Sequence, residues 1–158
     1  MKPEHFQALY REISHFDRHL GLDLEIIEPG RICYELTVAE QHLSASGACH
    51  GGVLSGMMDA VLGVTALSWA VTRGMLCATV EFKINYLSSV EKGTRLRGSG
   101  QLDFTGSRLV VTSATIVDAS DGRSVVKGMG TFNLYPLSKR THLSSLLSLQ
   151  PAPDEDQS

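Results

Sequence analysis

A long apolar run broken by a single acid constrains this chain most. Residues 48–71 read A-C-H-G-G-V-L-S-G-M-M-D-A-V-L-G-V-T-A-L-S-W-A-V. From Gly52 onward the run is long enough for a helix and too long for a typical strand. It is apolar on almost every side, so the fold must bury it from several directions. The one ionisable residue inside it is Asp59. A carboxylate taken out of water without partners is costly and tends to take up a proton, so such a residue is seldom kept for packing. The helix opens on His50-Gly51-Gly52, which puts bare backbone N–H groups at the positive end of a helix dipole. A carbonyl oxygen or oxyanion can be held there, and a buried acid behind such a site is suited to acyl chemistry.

The 53–71 stretch could span a bilayer by length. Asp59 near its middle, interior Ser55, Thr65 and Ser68, and the absence of basic flanks favour a protein core instead. Hydrophobic residues make up 42% of the 158 and charged residues 20%, enough for one globular domain with a real core. A formal net charge of −3 argues against binding nucleic acid or a membrane surface. Cys33, Cys49 and Cys77 show no CxxC spacing, and their odd number fits a reducing compartment. No apolar run follows M-K-P-E-H-F, so the expected location is cytoplasmic.

Phe6, Leu9, Ile13, Phe16 and Leu20 recur at near-helical spacing, which predicts one amphipathic helix over 3–20, ended by Gly21. Residues 22–26 and 32–38 alternate on either side of Pro29-Gly30, the pattern of a hairpin. Beyond the apolar helix the period is two. Leu76, Ala78, Val80, Phe82, Ile84 and Tyr86 fall on one face of a long strand, and Cys77, Thr79, Glu81, Lys83 and Asn85 fall on the other. On that alternation Thr79 lies opposite the apolar face. Strands are expected over 95–104, with Leu96, Leu102 and Phe104 sharing a face, over 109–118, and over 123–135 after the Asp121-Gly122 turn. Six strands with one long helix after the second predict an antiparallel sheet curled around that helix. Residues 1–136 form the domain. Residues 137–158 form a tail expected to be at least partly disordered, with a short docking turn at Leu143, Leu146 and Leu147.

In this order of elements the chain resembles the hotdog-fold thioesterases, and within them the phenylacetate-degradation branch of the 4-hydroxybenzoyl-CoA thioesterase-like superfamily. The residues that carry the likeness are H-L-S-A-S-G-A-C-H-G-G-V-L-S-G-M-M-D at 42–59, F-K-I-N-Y-L at 82–87, F-T-G-S-R at 104–108 and G-T-F at 130–132. The resemblance implies an α+β hotdog fold, a six-stranded antiparallel sheet wrapped around one long central helix, preceded by an amphipathic helix. It implies hydrolysis of acyl-CoA thioesters to free acid and coenzyme A. Coenzyme A is then part of the substrate, and no further cofactor or metal is called for. Asp59 matches the catalytic nucleophile or general base, and Gly51 the residue whose N–H polarises the thioester carbonyl. Thr79 matches a Ser/Thr that places the attacking water, and His50, a supporting residue, is expected with Gly52 among the substrate-binding positions. Six residues before His50 the family usually carries Asn or Gln; here Ser44 stands in that substrate-binding position.

Gly51 and Asp59 are eight residues apart, about 12 Å along a helix. Both must act on one carbonyl at contacts of about 3 Å. The expectation is a site shared across a two-fold axis in a homodimer, or in a pair of dimers, as the resemblance also implies. Two other readings remain: a hotdog hydroxyacyl-thioester dehydratase, whose H-x-x-F-P pattern is absent from H-L-S-A-S at 42–46, and a non-catalytic acyl-CoA-binding module. Cys49 lacks an activating arrangement, and His15 with His19 lack a third metal ligand. Val53, Met57, Met58 and Trp69 are the expected lining of the acyl pocket. Lys92, Arg95, Arg97, Arg108, Lys139 and Arg140 are the cations available to phosphates, and they read better as solvated surface.

Overall fold

The computed structural model describes residues 3–139. Two helices, α1 (Pro3–Ile13) and α2 (His15–Leu20), lead into a hairpin of β1 (Asp23–Glu28) and β2 (Arg31–Thr37). The long helix α3 (Gly51–Ala70) follows, then β3 (Met75–Tyr86), β4 (Arg95–Thr105), β5 (Leu109–Asp118) and β6 (Ser124–Pro136). The strands form one antiparallel sheet in the order β1-β2-β4-β5-β6-β3. This is the hotdog architecture. The sheet curls around α3, which packs against β2 through β6.

Leu54, Met57, Met58, Val61, Leu62, Val64 and Ala66 of α3 are buried against Ile32, Tyr34, Leu36, Leu96, Ile116 and Phe132 of the sheet. The helix can lie this close because β4 offers Gly98 and Gly100 beneath it. A Cβ on Gly100 would come within 2.1 Å of Thr65 Oγ1, and one on Gly98 within 2.8 Å of Val61. The glycines at 98 and 100 therefore serve packing.

Three sequence expectations are corrected. The single helix over 3–20 is two helices, because Ser14 leaves the helical region (φ −79°, ψ 90°) at the N-cap position of α2. That break turns α2 about its axis. Phe16, assigned to the docking stripe, is 54% exposed, while Asp17 is only 7% exposed. The second correction is in β3. The register slips between Thr79 and Glu81, leaving Val80 as a bulge 59% exposed. Thr79 pairs with Phe132, which is buried under α3, and beyond the bulge Phe82 and Ile84 pack on the same core. Thr79 thus shares the helix-facing side that strict alternation denied it. The third is a bulge at Asp103 in β4, which turns Phe104 outward, 57% exposed, away from the face of Leu96 and Leu102.

The two sheet edges are finished differently. Along β1, Gln7 Oε1 of α1 accepts from the Ile26 N–H at 2.6 Å, and Arg11 donates to the Leu24 carbonyl at 2.5 Å. Among the described residues, no strand pairs with the outer edge of β3. Leu137 packs on the core and its N–H donates to Gly74 O at 3.0 Å; the suggested turn at Leu143, Leu146 and Leu147 lies outside the described residues.

Candidate active site

Asp59 sits on the flank of α3 that faces β3 and the N-terminal helices. It is half-buried and opens into a cavity of about 250 Å³ whose walls include Tyr10, Phe16, Asp17, Leu67, Thr79 and Phe132. Burial pushes the Asp59 carboxyl above its usual range. The Thr79 hydroxyl beside it pulls the other way, and the charge of Asp17 raises it further. A carboxylate with increased proton affinity beside a hydroxyl can take a proton from water or attack a carbonyl carbon.

The second group lies at the start of α3. His50 is the N-cap (φ −67°, ψ 135°), and its Nδ1 accepts from the Gly52 N–H at 2.8 Å. The Gly52 N–H is therefore already bonded within the chain. The Gly51 N–H has no acceptor among the described residues. Gly51 is exposed, and Tyr86 lies over it, donating from Oη to the Gly51 carbonyl at 3.2 Å. The preceding loop is pinned by bonds from the His50 N–H to His42 O (2.8 Å) and from the Ser44 N–H to Ala48 O (2.8 Å). The Ser44 hydroxyl closes the same turn on Ala48 O and Ser46, so in this chain it shapes the loop.

The structure thus assembles the expected residues into two groups. Asp59 and Thr79 meet at the cavity; His50, Gly51 and Gly52 form the helix start, with Ser44 behind them. A single chain does not bring the groups together, since eight helical residues separate Gly51 from Asp59 by about 12 Å. The residues expected to line the acyl pocket lie away from this cavity. Met57 and Met58 are fully buried in the core, and Trp69 stacks with Arg73 at 4.0 Å. Val53, Met57, Met58 and Trp69 are all absent from the cavity wall. Sequence reasoning missed Asp17 and Tyr86. An acid on an amphipathic helix reads as solvated, and Tyr86 as one more member of an apolar strand face.

Other candidates fall away on geometry. A larger groove of about 460 Å³, lined by Arg31, Ser99, Gln101, Ser113, Thr115 and Lys127, lies on the outer face of the sheet, away from Asp59 and the helix start. The Cys49 thiol is pushed up by burial, which makes it a poorer nucleophile. His15 is exposed and bonded to Arg18 at 2.5 Å. Lys92 is paired with Glu40, while Arg95 makes a bidentate contact with Glu35 and Arg97 lies beside it.

The thioesterase superfamily model matches residues 46–125, a span that holds both halves of this site. Human acyl-coenzyme A thioesterase 13 is 28% identical over 120 residues, 75% of this chain and 84% of that protein. The conserved protein PA5202 of Pseudomonas aeruginosa superposes with a TM-score of 0.71 at 30% identity, covering 78% of this chain and 95% of that one. The PaaI protein from the phenylacetic acid degradation operon of E. coli gives a TM-score of 0.76 at 21% identity over 83% and 91% of the two chains. The last of these is a likeness of fold.

Proposed function

This chain belongs to the thioesterase superfamily, and from that premise we propose that it hydrolyses acyl-CoA thioesters at a site completed by two subunits. The observation that carries the reading is the pairing of a half-buried carboxylate, facing a cavity beside the Thr79 hydroxyl, with a helix-start N–H that no acceptor within the described residues occupies. The Gly51 amide, backed by the helix dipole, holds the thioester oxygen as it gains charge. Asp59 is the nucleophile or the general base on water, and its raised proton affinity serves either role. Thr79 orients that water, and the coenzyme thiolate leaves without needing a strong acid.

The bare edge of β3 supports a dimer, since a long unpaired strand edge invites a second copy. Tyr86 marks the Gly51 end of β3 and Thr79 marks Asp59. Antiparallel pairing that sets Thr79 opposite Tyr86 of the partner subunit, with Val80 left out of the ladder as a bulge, places the two-fold at Lys83. In that register each Asp59 faces the partner's Gly51. Three free thiols support a reducing, cytoplasmic setting.

The test is thiol release from a panel of aryl and fatty acyl-CoAs by wild type and Asp59→Asn. The variant is expected to fold and to lose nearly all turnover. Wild-type rates from Asp59→Asn would remove Asp59 from the mechanism. Saturable acyl-CoA binding without thiol release by the wild type would make the protein a binding module.

A further inference from the structure

Within the cavity that Asp59 faces there is a second carboxylate. Asp17 comes from α2, is 7% exposed, and lines the same wall. Its place is fixed by structure from several elements. Tyr34 of β2, fully buried, donates from Oη to Asp17 Oδ2. The chain turns directly behind Asp17, where Gly21 adopts the left-handed conformation (φ 74°) and the Leu22 N–H donates to the Asp17 carbonyl at 2.9 Å. On the α3 side, Phe16 and Leu20 press against Gly56, one helical turn before Asp59. A Cβ on Gly56 would lie 3.0 Å from the Phe16 ring.

We propose that Asp17 is a positioning residue for the hydrolytic reaction, a second carboxyl group that α2 and Tyr34 hold against the cavity to set the electrostatic environment in which Asp59 works. This rests on the reading of Asp59 as the reacting carboxylate.

The chemistry of the wall supports it. Among the described residues, none of those lining the cavity is a lysine, arginine or histidine to offset the two carboxyl groups. The other titratable groups around the pair stay neutral at working pH. Burial pushes Tyr10 of α1 up to about 12, and Tyr34 further still. Burial also pushes Cys77 of β3 up to about 12. Thr79 of β3 supplies only a hydroxyl. The cations of α2 do not face the cavity: His15 and Arg18 bond to each other in solvent, and His19 is exposed. A neighbouring carboxylate with no cation between them makes it harder for Asp59 to give up its proton. The charge of Asp17 acts on Asp59 in that direction, in addition to burial.

The experiment is the pH profile of kcat/KM for thiol release by wild type and Asp17→Asn, which keeps an oxygen to accept from Tyr34. Loss of the neighbouring charge lowers the proton affinity of Asp59, so the acid limb moves to lower pH. At a pH on that limb, the fraction of plateau activity is expected to rise about twofold or more. A purely structural Asp17 would lower activity at every pH and leave the limb in place, and that result overturns the proposal. Tyr34→Phe, which removes the hydroxyl that holds the Asp17 carboxyl against the cavity, is expected to move the limb the same way and serves if Asp17→Asn does not fold. The carboxyl carbon resonance of Asp59, titrated by NMR in the same variants, reads the shift without turnover. An unmoved resonance refutes the role of Asp17, whereas full activity of Asp59→Asn refutes the reading it rests on.

Discussion

Replacing Gly51 with proline removes one hydrogen-bond donor and little else, so it isolates the oxyanion contact. Proline is favoured at the first position of a helix, and Gly51 is that residue. The residue before a proline must be extended, and His50 already is, at φ −67° and ψ 135°. A Cβ at position 51 meets the Tyr86 ring at 3.7 Å, an ordinary contact. Since the Gly51 N–H bonds nothing among the described residues, the expected change in stability is within about 1 kcal/mol. Nor can a neighbour substitute, because the Gly52 N–H is held by His50 Nδ1. The full cost of a missing oxyanion donor should therefore appear, about 10²- to 10³-fold in kcat, or about 3–4 kcal/mol of transition-state stabilisation. Thiol release from acyl-CoA measures it. The shared site adds a second readout. When Gly51→Pro and Asp59→Asn chains are mixed and reassembled, half the dimers are hetero-dimers, and each carries one intact site of its two. Activity should recover to about a quarter of wild type. Wild-type kcat from Gly51→Pro would refute the oxyanion role. Mixed dimers that stay inactive would refute the division of the site between chains.

Three further outcomes are expected. Thr79→Ala removes the hydroxyl that favours the charged form of Asp59, so the acid limb of the pH–rate profile should move to higher pH, opposite to Asp17→Asn, with a loss in kcat of about tenfold or more. Asp59→Asn should raise the melting temperature at pH 7–8. The folded-state proton affinity of Asp59 is raised, so wild-type stability falls as pH climbs past the ordinary carboxylate range, and the advantage of Asn should vanish below it. Gly100→Ala forces a methyl to within 2.1 Å of Thr65 Oγ1 and 3.2 Å of the Val61 carbonyl. It should destabilise by about 1–3 kcal/mol and lower the melting temperature by about 2–10 °C in calorimetry.

The fold was legible where residue pattern acts locally. The 48–71 run announced its helix and its burial, since no other element is so apolar over that length, and Pro29-Gly30 and Asp121-Gly122 announced their turns. The candidate site was legible in part, because H-G-G followed by an acid at position 59 is a contiguous signal. It failed where one backbone irregularity reverses a whole face. Ser14 turned α2 so that an acid went inward and a phenylalanine outward, and the Val80 bulge carried Thr79 to the side of Asp59.

From the sequence alone came a buried core helix carrying one acid, antiparallel strands around it, and a donor-rich helix start, for these depend on composition and short-range period. Only the tertiary structure decided which groups share a space. Asp17, Asp59 and Thr79 come from three elements, and they converge because β3 bulges and α2 rotates. A period of two or of 3.6 specifies which residues share a face only while the backbone stays regular. Where packing bends the chain, burial and charge rearrange, and with them the proton affinity on which the chemistry turns.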